Sequence, residues 1–156
     1  MLRLLVFFLF LLKCSLVFSQ KTILNTSLVD IKGNTTELQE LTLPDKPTFI
    51  SFWASWCKPC LEEIVALDHL LKTKQLDINY ILINTDELRT LSKAKQIAKQ
   101  KQWSAHLLFD TNQDYMRVLG VRNLPQSFLY DKNRILKASF NAFTKGDEYK
   151  YFDLLK

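Results

Sequence analysis

The chain has 156 residues, with 21 basic against 16 acidic side chains and a formal net charge of +5. That length suits a single domain, and the charge excess is too small to mark a nucleic-acid binder; the one basic run, "KAKQIAKQKQ", reads as a helix surface. The two histidines, His69 and His106, stand alone and no second C-x-x-C pair exists, so a four-ligand zinc site lacks its ligands.

Residues 1–19 read as a secretory leader. A basic start at Arg3 precedes an apolar run from Leu4 to Leu12, and Val17 and Ser19 fit the minus-three and minus-one positions of a cleavage site. The mature chain is then expected to begin near Gln20. Lys13 interrupts the run, and an uncleaved membrane anchor is the alternative, since Leu2 to Phe18 nearly reaches spanning length. Cys14 lacks the small preceding residues of a lipoprotein signal, with Leu12 and Lys13 in their place, and is read as part of the leader. Without the leader, 19 basic residues face 16 acidic ones, a net of +3. Only Cys57 and Cys60 remain as thiols, a single C-x-x-C pair in an exported chain.

From 20 to 156 the pattern is that of one α/β domain. "SLVDIKGNTTEL" gives two short extended segments around the Gly33-Asn34 turn, a hairpin signal. "PTFISFWA" is a buried strand opened by Pro47. "KPCLEEIVALDHLLKT" has helical periodicity, with Cys60, Ile64, Leu67 and Leu71 on one stripe. "INYILINT" is a second buried strand. "ELRTLSKAKQIAKQKQ" is an amphipathic helix with Leu88, Leu91, Ala94, Ile97 and Ala98 expected inward. "AHLLFD" is a strand, "NQDYMRVLG" a short helix closed by Gly120, and "QSFLYD" and "RILKASF" two strands joined by a turn at Asp131-Lys132-Asn133. "GDEYKYFDLLK" ends the chain as a helix, with Tyr149, Phe152 and Leu155 expected on its inner side. Strands alternating with helices predict a central sheet covered on both faces, "PTFISFWA" and "INYILINT" parallel, and the last two strands an antiparallel hairpin at one edge. With 11 Phe available the core needs no structural staple.

Cys57 falls where strand gives way to helix, the end of an α/β sheet at which reactive groups gather. A sulfur there meets the unpaired N–H groups and positive end of the helix, which favour its thiolate. Cys60 is three residues on, close enough to form a disulfide, and Pro59 is tolerated because first-turn amides lack intrahelical partners. The expected layout is an exposed nucleophile, Cys57, beside a sheltered resolving thiol, Cys60, as dithiol–disulfide exchange requires. A purely structural bridge across so short a loop would constrain the unfolded chain little. His69, opposite Cys60 on the helix, is read as a surface residue and His106, at a strand start, as a packed or rim residue, and no metal is expected.

"FWASWCKPC" followed by "LEEIVAL" resembles the active-site segment of the thioredoxin superfamily, in particular its exported branch, the TlpA/ResA-like thiol–disulfide oxidoreductases. "GVRNLPQSFLYDKNRIL" is similar to the segment of that family in which a Gly-Val pair precedes a cis-proline, a strand, a turn and another strand. The resemblance makes Pro125 the cis-proline and Leu124 the backbone bordering the dithiol. It extends to the N-terminal hairpin, "SLVDIKGNTTELQEL", which that branch adds before a thioredoxin-like fold. It implies substrate positioning by Trp56, Lys58, Pro59, Leu124 and Pro125.

Two positions depart from cytosolic thioredoxins. Ser51 stands where they carry a buried aspartate, and Lys58 replaces a common glycine between the cysteines. The exported branch commonly has an acid after the motif, which Glu63 matches. On the helix Glu63 lies about 60° from Cys60, whereas Glu62 points to solvent. Glu63 is therefore the candidate proton acceptor, against the alternative of a solvated acid favoured by the helix dipole.

The function expected is an exported thiol–disulfide oxidoreductase without cofactor. The resemblance favours a reductase of disulfides in selected exported proteins, apocytochromes among the candidates, recharged by a membrane electron donor. The same dithiol at a higher potential would instead donate disulfides. A chaperone for a soft ion such as Cu(I) would want a third ligand near the pair, and a binding module without turnover would have no need of both cysteines and Pro125.

Overall fold

Pro47 introduces the most deeply covered strand of the chain, and the other elements are arranged around it. In the computed structural model, which describes residues 21–155, β3 (Thr48–Trp53) is buried at all its positions. So is β4 (Asn79–Asn84), its parallel neighbour. Cover on both faces is what a run of Phe, Ile and Leu without polar alternation encodes.

The remaining strands are β1 (Ser27–Asp30), β2 (Thr35–Glu37), β5 (His106–Phe109), β6 (Gln126–Tyr130) and β7 (Leu136–Asn141). Together they form one mixed seven-stranded sheet in the order β2-β1-β5-β4-β3-β6-β7. β5 is parallel to β4, while β6 runs antiparallel to β3 and to β7, which closes one edge. The N-terminal hairpin turns at Gly33, whose φ of 95° is open to glycine at little cost. Its first strand adds to β5, so the hairpin extends the far edge.

Alternating side chains of β3 divide the core. Phe49 and Trp53 face one layer, with Ile64, Leu67 and Leu71 of α2 (Lys58–Lys74), Ala94 and Ala98 of α3 (Leu91–Lys101) and Tyr151 of α5 (Asp147–Leu155). Ile50 and Phe52 face the other, with Leu38 of α1 (Leu38–Leu41) and Tyr115 of α4 (Asp114–Val118). The predicted α/β sandwich, with the N-terminal hairpin added to it, is the observed one.

Three details differ from the sequence reading. The four-residue α1 follows β2 directly, where only an extended segment was expected. α3 begins at Leu91 and not at Glu87; residues 88–90 form a turn in which the Thr90 N–H bonds the Glu87 carbonyl, and Thr90 is the N-cap. Leu88, expected inward, is consequently 76% exposed. On α5, Tyr149 is exposed and Tyr151 is buried in its place. Glu148, one turn before Tyr151, is buried with it and accepts the Gly146 N–H at 2.7 Å. The leader expected over 1–19 lies outside the described residues, among which no helix is long and apolar enough to cross a membrane.

Candidate redox site

Cys57 caps α2. Its backbone is extended (φ −87°, ψ 94°), and Lys58 and Pro59 open the helix immediately after it. Cys57 and Cys60 are joined by a disulfide, with Cα atoms 5.3 Å apart. The Cys60 N–H donates to Cys57 Sγ at 3.3 Å. A first-turn amide of a 17-residue helix thus points at the sulfur, where the positive end of the dipole favours negative charge. The expectation of an exposed nucleophile is corrected: Cys57 is 4% exposed and Cys60 fully buried. The cap geometry and the disulfide draw the Cys57 sulfur in against the helix end, leaving to Cys57 what little exposure the pair has.

The loop before the disulfide is held from β4. Asp86, just beyond that strand, accepts the Ser55 N–H at 2.6 Å, the Ser55 hydroxyl at 2.8 Å and the Asn84 side-chain amide at 2.8 Å. Burial pushes its carboxyl upward, but these donors prevail and hold it below the usual carboxylate range. Thr85 adds its N–H and hydroxyl to the Trp53 carbonyl. Residues 54–57 are therefore fixed to the sheet although they belong to no strand.

The Leu124–Pro125 peptide bond is cis. Gln126 pairs with Phe52 at the carboxyl end of β3, so the Leu124–Pro125 turn and the 54–57 loop lie at the same end of these two adjacent strands. The Pro125 carbonyl accepts the Ala142 N–H at 3.0 Å, which ties that turn to β7.

Glu63 is not a solvated helix-end acid. It is 1% exposed, one turn beyond Cys60 on the inner face of α2. Ser51 Oγ donates to its Oε2 at 2.7 Å, and Ser127 Oγ and the Tyr151 hydroxyl donate to its Oε1, each at 2.9 Å. Ser51 and Ser127 are cross-strand partners of β3 and β6, so two adjacent strands present their hydroxyls to one carboxylate. Burial pushes the Glu63 carboxyl above its ordinary value, the hydrogen bonds from Ser51, Ser127 and Tyr151 oppose it, and the charge of Asp147 adds to the rise. Of these effects, burial is the largest.

Glu62, by contrast, is exposed and lies 3.7 Å from Lys58 Nζ, an exposed pair worth little. Trp56 is 66% exposed beside the disulfide, whereas Pro125 is buried and Leu124 half-buried. His69 and His106 are both exposed. Among the described residues no group of three or more His, Cys, Asp and Glu side chains converges as metal ligands do. Ser127, Tyr151 and Asp86 were not singled out in the sequence. A hydroxyl inside a strand and a tyrosine on a terminal helix carry no local signal; only the pairing of β6 with β3 and the docking of α5 bring the first two to Glu63.

Known proteins share this architecture. The family model of the AhpC/TSA family matches residues 20–139. The thiol-disulfide oxidoreductase ResA of Bacillus thuringiensis subsp. konkukian is 32% identical over 110 residues, which are 70% of this chain and 61% of that protein. The chain thus spans less than two thirds of that relative. ResA of Bacillus subtilis is 25% identical over 134 residues, 85% of this chain and 73% of its own length. Among solved structures, a thioredoxin-like protein from Porphyromonas gingivalis superimposes with a TM-score of 0.68 at 31% identity, covering 83% of this chain and 86% of that one. A thiol-disulfide oxidoreductase from Bacteroides fragilis gives 0.67 at 21% identity, covering 86% and 100%. The chain belongs to the AhpC/TSA family, on a thioredoxin-like fold.

Proposed function

We propose that the protein is a thiol–disulfide oxidoreductase that reduces disulfides in exported proteins. The observation that carries this reading is the Cys57–Cys60 disulfide at the amino end of α2, at the same end of the sheet's strands as the cis-Pro125 turn. The ResA relatives, whose name states that activity, support it.

In the reduced protein, the Cys57 thiolate, favoured by the helix end, attacks one sulfur of a substrate disulfide. That bond breaks, a Cys57–substrate mixed disulfide forms, and the leaving substrate thiolate takes a proton from solvent. Cys60 then gives its proton to the Glu63 carboxylate, and its thiolate attacks the Cys57 sulfur. The Cys57–Cys60 bond forms and the second substrate thiolate leaves. Two electrons have passed from the dithiol to the substrate, and a membrane electron donor restores the dithiol. Glu63 is the proton acceptor because a fully buried thiol gives up its proton reluctantly. Trp56, Lys58, Pro59 and the Leu124–Pro125 backbone form the surface against which the substrate is positioned.

The reduction potential of the purified domain tests the direction. A value near that of thioredoxin, about −270 mV, supports a reductase, and one near −120 mV makes the protein a disulfide donor. Export is proposed from the leader pattern of residues 1–19, and an amino-terminal sequence starting near Gln20 supports it, whereas an intact Met1 in the membrane fraction assigns an anchor.

A further inference from the structure

Tyr151 lies beyond the stretch that matches the family, on the last helix, and 88 positions from the carboxylate it touches. It is 1% exposed, and its ring packs on Phe140 of β7, with centroids 4.4 Å apart, and on Phe49 of β3 at 5.2 Å. The two rings leave the hydroxyl little freedom, and it is aimed at Glu63 Oε1, the oxygen that also receives Ser127. Among the described residues, Ser51 alone serves Oε2.

We propose that Tyr151 is a positioning residue: its hydroxyl fixes the Glu63 carboxylate between the two strand serines and sets how readily that carboxylate takes up a proton. The inference rests on the reading of Glu63 as the proton acceptor of the dithiol.

The other groups facing this carboxylate cannot replace the phenol. Ser51 and Ser127 are committed to it from the sheet. Tyr80, from β4, is buried with a hydroxyl that has no hydrogen-bond partner among the described residues, and Glu63 acts on it through charge. Asp147, at the start of α5, repels the ionised form and is paired with Lys150. Asp68, on α2, acts on Tyr80 and is itself bound to Lys72 and Ser104. Burial and the charge of Glu63 push the Tyr151 phenol upward, so it remains a donor across the working pH range. α5 is thereby linked to the acid beside Cys60, although it contributes no residue to the disulfide edge.

The test is Tyr151→Phe, which keeps the ring and deletes the hydroxyl, with Tyr149→Phe on the exposed face as control. In the oxidised protein, NMR titration of the Glu63 side-chain carboxyl reads the interaction without any exchange reaction. Tyr151→Phe is expected to raise the proton affinity of Glu63 about tenfold, the loss of one hydrogen bond to a charged acceptor. It should move the pH profile of disulfide exchange by the same amount in the alkaline direction. A Glu63 titration unchanged from wild type, with the fold intact, overturns the proposal even where exchange proceeds normally. A shifted titration in Tyr151→Phe, together with a wild-type protein that performs no exchange, leaves Tyr151 in its role and removes the oxidoreductase reading instead.

Discussion

Ser51 donates its hydroxyl to Glu63 at 2.7 Å, a helix acid held over the strand position at which cytosolic thioredoxins carry a carboxylate of their own. The strand has the small hydroxyl and the helix the acid, so the carboxylate approaches from the opposite partner. Glu63→Gln retains the volume, and its amide oxygen can still accept Ser127 and Tyr151 while its NH2 group donates to the rotatable Ser51 hydroxyl, but it cannot take a proton at neutral pH. We expect the variant to fold and to slow exchange on the order of 10²-fold, the low end of what a positioned proton acceptor contributes. Glu62→Gln, on the solvent side, should leave the rate and its pH profile unchanged. Stopped-flow kinetics of the two variants across pH 5–9 decide the matter, and equal behaviour removes Glu63 from the mechanism.

Stability follows from the same group, with a definite sign. The folded protein holds the Glu63 proton more tightly than the unfolded chain, whose ordinary value is 4.5. Between that value and the raised folded one, the native state binds more protons, so stability falls as pH rises through this window. The contribution of Glu63 is full below 4.5 and is lost as the carboxyl ionises in place. Asp68 and Asp86, both held below 3.8, act in the opposite sense and only at lower pH. Urea denaturation of the wild type and Glu63→Gln at several pH values should show the variant gaining relative stability as pH rises. A difference that does not vary with pH would contradict the burial argument.

The order of the two cysteines is open to trapping. Cys60 is fully buried and its amide supports the Cys57 sulfur, so attack on a substrate should begin at Cys57. Cys57→Ser is expected to abolish turnover, while Cys60→Ser should accumulate mixed disulfides with substrate, visible on non-reducing gels and by mass spectrometry. Adducts formed through Cys60 in the Cys57 variant, with none in the other, reverse the assignment.

The central strands were legible because β3 and β4 are covered on both faces and so carry unbroken apolar runs; the disulfide was legible because its two residues are only three positions apart. The surroundings of Glu63 were not. Its partners lie 12, 64 and 88 positions away, and two of those separations are created by sheet order and helix docking, which local periodicity does not encode. α5 shows the difficulty in a single element. The expected inner side held Tyr149, whereas the buried tyrosine is Tyr151, one turn from Glu148, whose buried carboxylate accepts the Gly146 N–H.

Asp86 gives the last prediction. Its two oxygens receive three hydrogen bonds, two from Ser55, two positions before Cys57. Asp86→Asn substitutes an amide donor for one acceptor oxygen, so at least one of those buried donors loses its partner. The cost of such a group is about 1–3 kcal/mol, and it falls on the loop that carries the disulfide. Ser55→Ala removes only the hydroxyl and leaves the backbone N–H bound, so its effect should be the smaller. We expect urea midpoints to fall in the order wild type, Ser55→Ala, Asp86→Asn. Hydrogen exchange at the Ser55 amide should accelerate in Asp86→Asn well beyond its change in global stability, because the loop opens without unfolding the sheet. Protection of that amide equal to wild type in Asp86→Asn would mean that the Thr85–Trp53 contacts hold the loop by themselves.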